Sequence, residues 1–166
     1  MTAAEAHARI QELGGGQEWP VVLASAITIG LCVIIHYEAV RLLIRTTAVI
    51  RSTRFAIIAT VLSLIIVHIV EIGIFGVGLA VLNDVFDDRT GMLIGDFYGT
   101  FEDYAYFSAA VYTTVGFGDV TPVGPIRTYA AAEALTGLVL VTWSASFTFL
   151  VMQARWRDMA ESAVSS

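Results

Sequence analysis

The sequence predicts an all-α membrane protein, with three helices that cross the bilayer and a fourth, shorter helix that enters it without crossing. Of the 166 residues, 57% are hydrophobic and only 14% are charged, which excludes an ordinary soluble domain. Three apolar stretches reach the roughly 20 residues that a helix needs to cross a bilayer. The helical stretch from Asp103 to Thr113 is too brief to cross and is therefore expected to be re-entrant.

The segment before the first span, residues 2–13, has the pattern of a short amphipathic helix. Thr2 and Glu5 have the spacing of a capping box, and three glycines at positions 14–16 follow the helix. The three predicted spans are Trp19 to Tyr37, Phe55 to Leu82 and Tyr129 to Met152. The chain thus divides into an amino-terminal segment (1–18), a first helix with an Arg-rich connection (19–54), a larger membrane domain (55–153) and a short cytoplasmic tail (154–166).

Charge is distributed unequally between the two segments that connect the spans. Residues 38–54 carry four arginines against one acid, Glu38, whereas residues 83–103 carry six acids against Arg89. Because arginine-rich connections stay in the cytoplasm, we expect the carboxyl terminus inside the cell and the amino terminus outside. The course of residues 42–50 stays open: the first helix either continues to a tight turn near residues 51–54 or bends along the inner leaflet.

Residues 113–119, with the sequence TTVGFGD, carry the most specific signal in the chain. A pore that replaces the water shell of an ion needs carbonyls that point to one side, whereas the carbonyls of an ordinary strand alternate. Gly116 and Gly118 adopt left-handed backbone angles at little steric cost, which allows every carbonyl to turn inward. The heptapeptide resembles the selectivity filter of the potassium-channel superfamily, and the resemblance extends in pattern over residues 55–153.

This resemblance implies a potassium-selective channel with K⁺ as the permeant ion, and passive conduction without enzymatic activity. The filter would comprise Thr114, Val115, Gly116, Phe117 and Gly118. Closing a carbonyl cage around an axis takes four such segments, which implies a homotetramer in a lipid bilayer. Two alternatives are a weakly selective cation channel and a non-conducting membrane sensor or accessory subunit.

Residues beside the filter are expected to hold its shape. Thr113 precedes the filter, and in the family the carboxylate at the position of Asp119 pairs with groups of the pore helix, the short helix before the filter. The frequent acidic partner in that helix is Ala110 in this chain, so the bracing must differ. Tyr106 is the best remaining donor to Asp119, and Tyr112 is the second candidate.

The third span corresponds to the inner helix of such a channel. Gly137 lies where family members often bend, and a glycine that permits close helix packing fits the sequence equally well. Helical spacing gives this span one face that is expected to line the cavity. The residues of that face are Leu138, Val141, Ala145 and Phe149. Phe149 is expected to form the constriction or to pack against a neighbouring subunit.

Four ionisable side chains lie in apolar stretches where a plain pore does not require them, namely His36, His68, Glu71 and Glu133. Such groups are costly inside a membrane and are therefore functional candidates. His36 and His68 are equally far from a turn near residue 52, so a helical hairpin would place them at one level. The group is expected to bind protons, to bind a transition metal such as Zn²⁺, or only to form hydrogen bonds across helices.

Composition argues against several other functions. The net charge of −6 argues against nucleic-acid binding, and the residues after Met152 are too few for a soluble ligand-binding domain. Cys32 is the one cysteine and lies in an apolar stretch, so an intrachain disulfide is impossible.

Overall fold

The computed structural model of the protein describes residues 2–12, 16–50 and 52–164. Its helices are α1 (Ala3–Glu12), α2 (Trp19–Ala48), α3 (Thr53–Phe86), α4 (Phe101–Tyr112) and α5 (Ile126–Val164). Its strands are β1 (Met92–Gly95) and β2 (Val120–Val123). Within the described ranges, α2, α3 and α5 are long and apolar enough to cross a membrane. The predicted class, an all-α membrane protein with three spanning helices, is therefore confirmed.

The chain forms two compact units, and the three long helices contribute to both. The first unit consists of residues 1–32 and 71–138, and the second of residues 33–70 and 139–166. The first unit contains α1, both strands, α4 and the residues 113–119. The second contains the connection between α2 and α3 and most of α5.

In the first unit, α1 packs with a two-stranded sheet whose strands precede α4 and follow residues 113–119. The strands β1 and β2 are antiparallel, with Met92 opposite Val123 and Gly95 opposite Val120. Ala6 and Ile10 of α1 are buried against Met92 and Val123, so α1 packs on this sheet. Neither strand was predicted from the sequence.

In the second unit, α2 continues well past Tyr37, which was the predicted end of the first span. Its Val40 and Leu43 are buried in a cluster with Leu64 of α3 and Phe147 of α5. Burial of these apolar side chains stabilises the helix beyond the span. Of the two courses left open for residues 42–50, the structure therefore has the helical one, which ends at Ala48. Arg51 lies outside the described residues.

Of three predicted helix boundaries, one is confirmed and two differ in the structure. The capping box of α1 is confirmed, because Thr2 N donates to Glu5 Oε2 at 2.7 Å and Glu5 N donates to Thr2 Oγ1 at 3.3 Å. Helix α4 begins at Phe101, two residues earlier than predicted, because Thr100 and Asp103 form a second capping box. The predicted separate tail from residue 154 instead continues α5 as helix to Val164. Gly14 and Gly15 lie outside the described residues.

Candidate functional site

The candidate filter segment, residues 113–119, is folded back on the last turn of α4, the candidate pore helix. Thr114 N donates to the carbonyl of Val111 at 2.9 Å, and Gly116 N donates to the carbonyl of Ala110 at 3.0 Å. These bonds use carbonyls that the end of a helix otherwise leaves without an intrahelical partner. The position of the first filter residues is therefore set by the end of α4.

Along the candidate filter segment, the backbone angle φ alternates between positive and negative values. Thr114, Gly116 and Gly118 have φ values of +61°, +52° and +82°, whereas Val115 and Phe117 between them have negative φ. A strand with uniformly negative φ turns its carbonyls alternately to two sides, and an alternation of left- and right-handed residues turns them to one side. The two glycines were predicted to be left-handed. Thr114 was not, because a non-glycine residue rarely adopts positive φ.

At the far end of the filter, Tyr106 of α4 donates from its hydroxyl to Asp119 Oδ2 at 2.7 Å. The Tyr106 ring also stacks on Phe117, with ring centroids 6.3 Å apart and an interplanar angle of 7°. The hydrogen bond from Tyr106 holds the pKa of Asp119 below its usual value, and the same bond raises the pKa of Tyr106. Sequence analysis predicted Tyr106 as the donor to Asp119, and the structure contains that bond.

Tyr112, the second predicted donor to Asp119, has a different acceptor. Its hydroxyl donates to Glu71 Oε2 of α3 at 2.5 Å, and a phenol has one hydrogen to give. Both side chains are buried, with exposed fractions of 1% and 0%. The prediction of a Tyr112 bond to Asp119 is therefore wrong, and the contact with Glu71 was missed.

Gly137 of α5 lies directly against the end of the pore helix. A Cβ at this position would lie 2.0 Å from the carbonyl oxygen of Tyr112 and 2.8 Å from its carbonyl carbon. Of the two sequence interpretations, a bend or close packing, the second is what the structure contains at Gly137. A residue with any side chain would displace the backbone of Tyr112, which leads into residues 113–119.

The predicted cavity residues lie on exposed parts of α5. Leu138, Val141, Ala145 and Phe149 are all exposed in the single chain. Residues at the intervening positions, Leu140, Ser144 and Phe147, are buried. The four predicted cavity residues therefore lie on a side of α5 that the rest of the described chain leaves exposed.

In the second unit, the structure brings His36 and His68 together. Their ring centroids are 5.4 Å apart, which confirms that the two histidines lie at one level. The Nε2 atoms of His36 and His68 lie 3.4 Å and 3.0 Å from the hydroxyl oxygen of Ser144 on α5. Ser144 was not among the residues predicted from the sequence. A polar serine in an apolar span could have been noted on the same ground as the two histidines.

Glu71 and Glu133, the two predicted carboxyl groups, belong to the first unit, and both are fully buried. Ser108 of α4 lies near the carboxyl group of Glu133 of α5. Among the described residues, the carboxyl oxygens of Glu133 and the hydroxyl of Ser108 have no partner at hydrogen-bond geometry. Ser108 lies one helical turn before Tyr112, so α4 turns two polar groups toward these two carboxyls.

Comparison with known proteins identifies the class. Residues 67–154, more than half of the chain, match the model of a family described as "Ion channel". The chain therefore belongs to this ion channel family, within the potassium-channel superfamily. A segment of 56 residues is 41% identical to Protein LctB of Geobacillus stearothermophilus and covers 34% of this chain and 42% of that protein. No solved structure matches the chain.

Proposed function

We propose that the protein is a potassium-selective channel that conducts K⁺ passively through a filter of four chains. The alternating backbone hand at Thr114, Gly116 and Gly118 carries this proposal, since aligned carbonyls are the ligands that replace the hydration shell of K⁺. All residues from 113 to 119 are exposed in the single chain, as a segment that faces an axis shared with other chains requires. Membership of the ion channel family supports the same function.

In this proposal the exposed face of α5 lines the cavity below the filter. Phe149, exposed by 59% and the bulkiest residue of that face, forms the hydrophobic constriction. Leu138, Val141 and Ala145 form the wall. The acidic residues between α3 and α4 raise the local cation concentration at the outer mouth.

The first prediction concerns selectivity. Purified protein in liposomes should pass K⁺ and Rb⁺ readily and largely exclude Na⁺, because the filter carbonyls replace the water shell of the larger ions. An ion-flux assay with each cation measures this, and mass measurement of the detergent-solubilised protein should give four chains. Comparable Na⁺ flux would indicate the weakly selective channel instead, and no flux of any cation would indicate the non-conducting alternative.

The second prediction concerns orientation, for which we propose the amino terminus outside and the carboxyl terminus in the cytoplasm. The four arginines of residues 38–54, which include the end of α2 and the start of α3, favour retention of this segment inside. An impermeant thiol reagent should therefore label Glu18→Cys, but not Ser52→Cys, in intact cells. Cys32 is fully buried and provides the unlabelled background. The reverse labelling pattern would contradict this topology.

We further propose that the pair His36 and His68 adjusts gating by binding a proton. The hydroxyl of Ser144 has one hydrogen and can donate to one imidazole at a time, so the other ring must donate its own N–H. A proton added to the accepting ring turns that nitrogen into a donor, so the serine oxygen then accepts from both rings and its own hydrogen must find another acceptor. Ser144 belongs to the inner helix. If the histidine pair has a higher proton affinity in the open or in the closed position of that helix, protonation favours that position.

The third prediction tests this histidine pair. Flux should depend on pH, and His68→Gln should flatten that dependence with an unchanged K⁺ to Na⁺ ratio. His7→Gln is the control, since His7 is an exposed histidine of α1. A zinc effect at constant pH that His68→Gln abolishes would assign the site to a transition metal. An unchanged pH profile in His36→Gln and His68→Gln would leave the pair with a structural role only.

A further inference from the structure

The end of the pore helix is attached to the outer helix through the hydrogen bond from Tyr112 to Glu71. The oxygen atoms are 2.5 Å apart, and both side chains are buried. A phenol that donates to a carboxylate at this distance, away from water, forms a strong bond. The contact joins residues 41 positions apart in sequence, so it fixes α4 to α3 rather than stabilising a local turn.

Tyr112 is also the point where the filter begins. It is the last residue of α4, and the next two residues, Thr113 and Thr114, begin the filter segment. The backbone N–H groups of Thr114 and Gly116 are bonded to the last turn of α4. A shift of Tyr112 therefore shifts the first carbonyls of the filter with it.

Other contacts hold the backbone and ring of Tyr112 in the same place. Its carbonyl group lies against Gly137 of α5, where no Cβ would fit. The centroid of its ring lies 6.3 Å from the ring centroid of Phe75, which belongs to the same helix as Glu71. The hydroxyl, the ring and the carbonyl are thus each held by a flanking helix, and the hydroxyl contact is the specific, directional one.

The polar character of this contact is not explained by packing alone. An apolar pair of similar shape would fill the space without the cost of burying a carboxyl group inside a membrane domain. Ser108, a second hydroxyl of α4, lies one helical turn before Tyr112 and near a second buried carboxyl, Glu133 of α5. The thiol of Cys32 on α2 also faces this group, 3.9 Å from the carbonyl oxygen of Glu71.

We propose that Glu71 is a positioning residue for the filter, which holds Tyr112 so that the outer helix sets how long the filter stays in its conducting form. This inference rests on the proposed function as a potassium channel. The filter is then braced at both ends, by Tyr106 and Asp119 at the outer end and by Tyr112 and Glu71 at the other. The second brace makes α3 part of the filter support.

Tyr112→Phe and Glu71→Leu test the proposal, with K⁺ flux into liposomes measured at low and high K⁺ concentration. Each variant should lower the flux severalfold at low K⁺ and recover most of it at high K⁺, because bound ions stabilise the conducting form. The two changes together should be no worse than either alone, since they remove one bond. Glu71→Gln keeps an oxygen acceptor and should retain most of the flux.

The matched control is Tyr129→Phe. Tyr129 is also fully buried in the first unit, and its hydroxyl donates to the carbonyl of Phe75 at 3.2 Å, away from the filter segment. This variant should lose thermal stability to a similar degree without a flux that depends on K⁺ concentration. If Tyr112→Phe and Tyr129→Phe behave alike while the wild-type protein conducts, Glu71 has only a structural role. If the wild-type protein passes no cation, the proposed function fails and not this inference alone.

Discussion

Gly116→Ala should abolish selective K⁺ flux. Gly116 has a φ of +52°, and an L-residue pays about 1–2 kcal/mol to adopt the left-handed conformation. In a tetramer this cost arises in four chains that share one ion pathway. The strained residue is expected to return to negative φ, which would turn its carbonyl away from the others and remove a ring of ion ligands. We expect a fall of at least tenfold in K⁺ flux, measured in the liposome assay.

The control for this variant is Gly99→Ala. Gly99 also has positive φ, at +80°, and in both glycines an added Cβ would meet no atom of the described chain within 4 Å. The two substitutions thus introduce the same kind of backbone strain, one inside the filter and one outside it. Gly99→Ala should conduct normally. Normal selective flux in Gly116→Ala would show that residues 113–119 are not the filter.

The sequence alone predicts the parts of this fold that depend on long or rare local patterns. Three apolar stretches of membrane length identify three helices, because backbone groups inside a bilayer must be bonded within their own segment. The spacing of Gly116 and Gly118 within TTVGFGD predicts two left-handed positions separated by one residue, and both glycines have positive φ in the structure. The structure differs from these predictions in where the helices end and in the left-handed backbone of Thr114.

The two strands could not be predicted from the same kind of pattern. Met92 to Gly95 and Val120 to Val123 are four residues each, too short for an alternation of apolar and polar residues to be read. Their pairing depends on α4, which brings their ends together across 24 residues or more of intervening chain. Pro122 also argues against a strand, and it is tolerated because neither strand has a second neighbour.

Of the contacts beside the candidate filter, the sequence predicted one, missed another and left a third with two interpretations. Tyr106 was correctly predicted as the donor to Asp119. Both residues lie close in sequence to the candidate filter, and the acidic partner that is frequent in the family is replaced by Ala110. Glu71 was recognised as an unusual carboxyl but not as the acceptor for Tyr112, because that pairing depends on how α3 packs on α4. Gly137 had two interpretations, since a glycine permits both a bend and a close approach, and only the position of Tyr112 decides between them.

Gly137→Ala should disrupt the channel even though alanine is the better helix former. Alanine gains about 1 kcal/mol over glycine inside a helix. Against this gain, the added Cβ would lie 2.0 Å from the carbonyl oxygen of Tyr112, which is backbone and cannot rotate away. Overpacking costs about 1–3 kcal/mol even where flexible side chains are displaced, so the net effect should be destabilising. We expect a lower unfolding temperature in detergent and a loss of K⁺ flux.

Two other helical glycines provide the matched controls for Gly137→Ala. A Cβ on Gly30 of α2 or on Gly73 of α3 would meet no atom of the described chain within 4 Å. Gly30→Ala and Gly73→Ala therefore gain helix propensity without a clash, and they should match or exceed the wild-type unfolding temperature. If Gly137→Ala were as stable and as conductive as these controls, α5 would not approach the end of the pore helix as closely as the structure has it. A loss confined to Gly137→Ala would instead show that the inner helix and the entrance to the filter are packed backbone against backbone.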